Sequence, residues 1–258
     1  MKKLFLALLV LVFLSPSMIA QGITTHQYRR IDPANMQEYL KRETTYWSKL
    51  AEQEVKKGNL TFWAILQRVG GEDLQNAPNI LIINTFNNMD TSNEIWAGIE
   101  ELFPDVKMED MATWQLGKSV STIYLRSLGN HTERENTNME EDFKYVYITY
   151  HDTKDTGKHL TFEAEKWKPM VKKAMDEGKT TMKGWGNSVV ISPESPDFPY
   201  KAQSYDLFSS MTDALGPTFS EDFTWPEDFA FPDDHYKGPR NSHLYRIVKA
   251  VTAPPPSE

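Results

Sequence analysis

The sequence predicts an α+β protein built from two tandem β-α-β-β-α-β units whose sheets face each other. Three observations carry that reading: landmarks recur in register, apolar spacing alternates between strand and helix periods in the same order twice, and a polar segment separates the two runs. Trp47 precedes Gly58 by eleven residues, as Trp167 precedes Gly178. Phe86-Asn87-Asn88-Met89 returns as Phe208-Ser209-Ser210-Met211. Pro104 and Pro226 each fall fifteen residues after the Met of that motif, behind Phe103 and Trp225. Gly117 and Gly238 each precede a tyrosine, Tyr124 or Tyr245, by seven.

The first unit opens with a strand over 24–31. Asp32-Pro33 then starts a helix, a capping carboxylate followed by proline in the first turn. Met36, Leu40, Trp47, Leu50, Ala51 and Val55 share one helical face, and Gly58 supplies the stop. Thr61 to Val69 is the second strand, and Ile80 to Phe86 has the continuous apolar character of a buried central strand. A second helix over about 91–103 ends at Pro104, and Val120 to Ser127 is the fourth strand. This is the ferredoxin-like order. In the second unit, strands are expected at Tyr145–Tyr150, Thr181–Ile191, Lys201–Phe208 and Leu244–Val251, with a helix over about 162–177. Pro169 should kink that helix or delay its start, and Gly216-Pro217 should shorten the next one. The divisions are a signal peptide (1–20), a first unit (21–128), a linker (129–142), a second unit (143–252) and a disordered tail (253–258).

Lys2 and Lys3 precede an apolar run, Leu4 to Leu14, that is too short to span a bilayer comfortably, with a plausible cut before Gln21. An uncleaved anchor is the weaker alternative. The export signal looks bacterial, so the expected location is periplasmic or secreted, and the glycosylation-type triplets at Asn59 and Asn130 carry little meaning there. The chain has no cysteine, which excludes disulfides and a lipid-modified N-terminal Cys. Removing Lys2 and Lys3 takes the formal charge from −8 to −10. Such an acidic chain lacks the basic surface that nucleic acid or an anionic membrane would need.

Two units of this kind each leave one sheet face bare, and packing those faces together makes a barrel-like sandwich. On that element order and duplication, residues 24–251 resemble the dimeric α+β barrel superfamily in its fused form. That superfamily includes cofactor-free antibiotic-biosynthesis monooxygenases, haem-degrading enzymes, chlorite-dismutase-like haem proteins and stress-induced proteins. Some members hold a flat ligand with a strand Trp beside an Asn and a His. Trp63 and Trp185 lie on the two second strands, but no spacing here matches that set position by position. The resemblance implies the fold and leaves the activity open.

The polar set that stands out is His26, Tyr28, Arg30, Asn84, Tyr124 and Arg126. The first strand should pair with the third and fourth, bringing His26 near Asn84 and Arg126, with His26, Tyr28 and Arg30 on one face. A His, an Arg and an amide converging between the sheets would bind an anionic or carbonyl-bearing ligand and stabilise an oxyanion. The simpler alternative is solvent or a satisfied contact, since a one-residue shift of register turns every side chain over. The second unit adds Tyr147, Trp185 and Tyr245 as ligand-binding candidates, with Tyr145, Thr149 and His151 alongside. Asp206 is unusual on a central strand. Trp47 and Trp167 read as core anchors.

No sequence motif demands a cofactor. His151 and His159 could be axial haem ligands, though a lone His is weak support. Glu140-Glu141-Asp142 and Asp233-Asp234-His235 lack the spacing of a metal loop and read as solvated charge, so no metal is expected. Residues 217–236 alternate acids with aromatics, suggesting a lid over the inter-sheet cavity, a protein-partner surface, or rings replacing the missing helix. The leading function is therefore a small-molecule-binding barrel with its ligand between the sheets. The alternatives are a cofactor-independent oxygenase in which His26, Asn84 and Arg126 polarise the substrate, and an envelope interaction protein using 217–236.

Overall fold

The computed structural model describes residues 22–71, 74, 76–133, 137–231 and 233–253. The signal peptide and all of the tail beyond Ala253 lie outside the described residues. Eight strands are labelled in chain order: β1 (Ile23–Ile31), β2 (Leu60–Arg68), β3 (Ile80–Phe86), β4 (Gly117–Thr132), β5 (Tyr145–His151), β6 (Gly184–Ser192), β7 (Ala202–Phe208) and β8 (Asn241–Thr252). All pair antiparallel, and they close into a barrel in the order β1-β3-β2-β8-β5-β7-β6-β4. As expected, β1 is central and pairs with both β3 and β4.

The expected face-to-face packing is present, and it is completed by hydrogen-bonded seams. β2 pairs with β8, and β4 pairs with β6. Closure removes the four edges that two separate sheets would expose. It also corrects the linker boundary, because β4 runs on to Thr132 to reach β6. Gly129 to Thr132 read as linker because the segment is polar, a composition that a strand at a barrel seam tolerates. Inward side chains from both halves form one core, including Leu81, Ile123, Leu125, Ile148, Leu207 and Tyr245.

Helices cover the outside. Helix α1 (33–56) begins where Asp32 Oδ1 accepts from Ala34 N at 2.9 Å and ends at Gly58, whose φ of 78° supplies the left-handed turn. Helix α2 (92–102) consists of short turns, and α3 is Met108–Met111. Helix α4 (156–176) starts earlier than expected, capped by Asp155 Oδ1 accepting from Lys158 N at 3.0 Å. The last helix, α5 (Met211–Leu215), stops at Gly216, as the sequence suggested. Both long helices carry a π-helical turn at matching positions, Glu43–Trp47 and Glu163–Trp167. Pro169 therefore does not delay α4; it sits just beyond that wider turn, near the start of Lys168–Asp176.

Past α5, the loop rings pack on the helix side. Trp167 meets Phe219, Phe229 and Phe231 at 5.9–6.3 Å between ring centroids. Phe223 is buried in the cluster beneath α4. The loop thus replaces core that a longer helix would supply, and it does not cover the inter-sheet cavity. Trp225 and Phe231 remain exposed on its outer side. No helix among the described residues is long and apolar enough to cross a membrane.

Candidate active site

Strand parity divides the expected ligand residues between two faces. His26, Tyr28 and Tyr245 point into the barrel. Asn84 pairs with Thr25 and donates from Nδ2 to its Oγ1 at 3.2 Å, so it belongs to the outer, helix-covered face. Tyr124 and Arg126 share that parity, being opposite Thr25 and Ile23, and Arg126 is exposed. Tyr147 and Trp185 pack in the cluster under α4. Arg30 lies past a bulge after Tyr28 and donates to Ala77 O at 3.3 Å. The His–Arg–amide convergence expected between the sheets is therefore absent. His26 faces Ile83 and Ile123, not Asn84 and Arg126, because the register is offset from the expectation by one residue on β3 and by three on β4.

What the barrel does hold is a cavity of about 320 Å³. Phe62, Ile83, Val146, Ile148 and Leu207 supply apolar wall, and His26, Asn130, Gln203 and Tyr205 supply polar groups. His26 Nδ1 lies 2.7 Å from Tyr150 OH, and Tyr28 OH donates to Tyr150 OH at 3.2 Å. Burial lowers the His26 pKa to about 3, so the ring stays neutral. The same burial raises Tyr205 and Tyr245 to about 12. Among the described residues, no lysine, arginine, aspartate or glutamate lines this cavity, so it does not suit the anionic ligand expected from the sequence.

A second cavity, of about 300 Å³, lies between the first half's sheet and its helices. Trp47, Trp63, Trp96 and Trp114 wall it, with Gln27, Arg29, Glu43, Asn84 and Thr113 as polar lining. Register places Trp63 directly opposite Asn84. The π-turn of α1 turns Glu43 toward the sheet, where it is 3 % exposed and accepts from Thr113 Oγ1 at 2.8 Å. Burial pushes its carboxyl pKa up, and Arg29 opposes the shift. Two buried polar atoms on this wall, Arg29 Nε and Asn84 Oδ1, have no hydrogen-bond partner. Trp47 is pinned by its Nε1 donating to Met111 O at 2.9 Å, while Trp114, 54 % exposed, stands at the rim.

The second half repeats this frame with different groups. Trp185 is opposite Asp206 as Trp63 is opposite Asn84, and Glu163 opens its π-turn as Glu43 does. His151 and His159 lie 4.8 Å apart between ring centroids at a 41° tilt, His151 Nε2 is 2.8 Å from Ser204 Oγ, and Tyr236 OH is 3.3 Å from His159 Nδ1. Rings that close leave no room for a macrocycle between them. Burial lowers His151 to about 3 and His159 to about 4, and raises Asp206 to about 7. Among the described residues, no three His, Asp or Glu side chains are gathered as a metal site.

Sequence reasoning selected Asn84 but missed Glu43, Arg29 and all four tryptophans as one site. The signal was there: Glu43…Trp47 and Glu163…Trp167 repeat an acid four residues before each aromatic. An acid held at the same place on two otherwise apolar helix faces is difficult to explain by solvation.

The fold, a closed eight-stranded antiparallel barrel with helices outside it, is like that of the dimeric α+β barrels, here within one chain. No protein-family model matches the sequence, and no curated protein matches it. Solved structures match by shape. A candidate monooxygenase from Lactobacillus acidophilus NCFM aligns over 91% of this chain and 97% of its own, at 12% identity and a TM-score of 0.56. Another candidate monooxygenase, from Fusobacterium nucleatum, aligns over 90% and 94% at 12% identity and 0.54. An anthrone oxidase-like protein does so over 90% and 94% at 11% identity and 0.51. At such identities the likeness speaks for the fold.

Proposed function

We propose that this chain is a cofactor-independent oxygenase-like enzyme acting on a flat phenolic or anthrone-type substrate in the tryptophan-walled pocket of its first half. The observation that carries the proposal is the meeting, in one cavity, of a buried carboxyl with a raised pKa and two unpartnered polar atoms. Glu43 is the general base: a raised pKa strengthens it for removing a carbon-bound proton. Arg29 Nε donates to the enolate oxygen that forms, and Asn84 Oδ1 accepts from a phenolic hydroxyl. The tryptophans hold the ring system flat. The carbanion adds dioxygen to give a hydroperoxide; loss of water leaves a ketone, so one CH₂ and one O₂ become one C=O and one H₂O. The similarity in fold to candidate monooxygenases and to an anthrone oxidase-like protein supports the same class. With residues 1–20 as an export signal, the reaction belongs outside the cytoplasm.

An oxygen electrode with 1,8-dihydroxyanthrone tests this. Glu43→Gln should lower kcat about a hundredfold or more, the scale expected when a general base is lost, and His26→Ala should leave it unchanged. Equal loss in both variants, or turnover unaffected by Glu43→Gln, overturns the reading.

The interior cavity supports a second reading, a ligand-binding barrel without turnover. A compound seated there would raise the unfolding temperature with no oxygen uptake.

A further inference from the structure

We infer that the barrel interior binds a neutral, largely apolar small molecule whose oxygen accepts a hydrogen bond from His26. This rests on the second reading above, that a ligand lies between the sheets, and adds the chemistry of that ligand. Charge comes first. Among the described residues the cavity wall carries no formal charge, and His26 is 4 % exposed with no acid among the residues that line it. A carboxylate or ammonium placed inside would lose its hydration and gain no counter-ion. Both ionic classes are excluded by the same wall.

The tyrosines then set the polarity. Tyr28 OH donates to Tyr150 OH, which leaves Tyr150's own hydrogen free to go to His26 Nδ1, 2.7 Å away. An Nδ1 that accepts leaves the ring hydrogen on Nε2, and a neutral ring with that tautomer offers the cavity a donor. The complement is a carbonyl, ester or hydroxyl oxygen. Apolar surface makes up most of the rest, as small-molecule sites require, and the volume is at the lower end of their range. The tryptophan pocket, by contrast, contains Glu43 and Arg29. The two cavities should therefore sort ligands by charge.

Three probes of nearly equal shape separate the possibilities: 2-acetylnaphthalene, 2-ethylnaphthalene and 2-naphthoate, titrated calorimetrically. The ketone should bind roughly fivefold more tightly than the hydrocarbon, the worth of one neutral hydrogen bond, and 2-naphthoate at least tenfold more weakly than the ketone. His26→Phe should bring the ketone to the level of the hydrocarbon. Ala64→Leu and Ala250→Leu, two cavity-lining positions on different strands, should each abolish binding of both. If 2-naphthoate matches the ketone, or His26→Phe changes nothing while the filling variants still block binding, the inferred chemistry is overturned and the interior site stands. If none of the probes binds, or binding survives both filling variants or is lost in Trp114→Ala instead, the interior site itself is overturned.

Discussion

Replacing Glu163 by glutamine should make this protein more stable at neutral and alkaline pH. Glu163 is 5 % exposed, its Oε2 has no hydrogen-bond partner, and its Oε1 is 3.9 Å from His159 Nε2. Burial, with added repulsion from Asp206, raises its pKa from 4.5 to about 8 against the attraction of Arg240. A carboxyl whose folded pKa lies above its unfolded value holds its proton more tightly when folded. Stability is therefore greatest below the unfolded pKa and is lost as pH rises, until the folded pKa is passed. At 1.36 kcal/mol per unit, the shift corresponds to a penalty of roughly 3 kcal/mol at pH 7, and about 5 kcal/mol as a ceiling above pH 8. Between pH 6 and 8 the wild type should lose about 2 kcal/mol through this group. In a domain of this size that is a fall in unfolding temperature of about 4–8 °C. Glutamine keeps the shape and cannot ionise. Thermal and urea unfolding at half-unit pH steps from 5 to 9 would show the variant with a flatter profile, crossing above the wild type as pH rises. Asp206, raised to about 7, supplies the slope that remains, and Asp206→Asn should remove it. Identical slopes for wild type and Glu163→Gln would refute the placement of a buried, proton-retaining carboxyl beneath the aromatic loop.

Two further outcomes concern packing and pairing. Gly186 faces the Tyr205 ring so closely that a Cβ would collide with its Cζ and OH; Gly186→Ala should cost about 1–3 kcal/mol in chemical denaturation. The double variant with Tyr205→Ala should lose less than the sum of its parts. Asn79 spans the end of β1, accepting from Ile31 N at 2.9 Å and donating to Ile31 O at 2.8 Å. Asn79→Ala should destabilise by about 2 kcal/mol, measured as a shift in urea midpoint at constant slope.

The two halves share a frame and differ in what occupies it. In the first, tryptophans surround an open pocket. In the second, the segment that would continue α5 folds back as Phe219, Phe223 and Phe229 over Trp167, and Tyr236 closes on His159. Ion pairs Lys166–Asp228 and Lys179–Asp222 lie along that loop; being exposed, they add little to its stability. One half keeps an open pocket beneath its tryptophans, and the other buries a polar cluster at the matching place.

The element order was legible in the chain because it rests on local chemistry. Asp32 and Pro33 start α1, Gly58 and Gly178 end the long helices at φ of 78° and 64°, and apolar Ile80–Phe86 makes a central strand wherever it is placed. The recurrence of Trp47 and Trp167 marked the two halves for the same reason. Which face each side chain takes was not legible. His26 and Asn84 both sit on strands the sequence identified, yet one enters the barrel and the other lies under α1, because pairing set Thr25, not His26, opposite Asn84. Glu43 reaches the same pocket through a π-turn; its repeated spacing to a tryptophan marks the acid but does not show which way the turn aims it. Register and helix phase are settled by contacts between residues distant in sequence, so only the folded chain decides which polar groups meet.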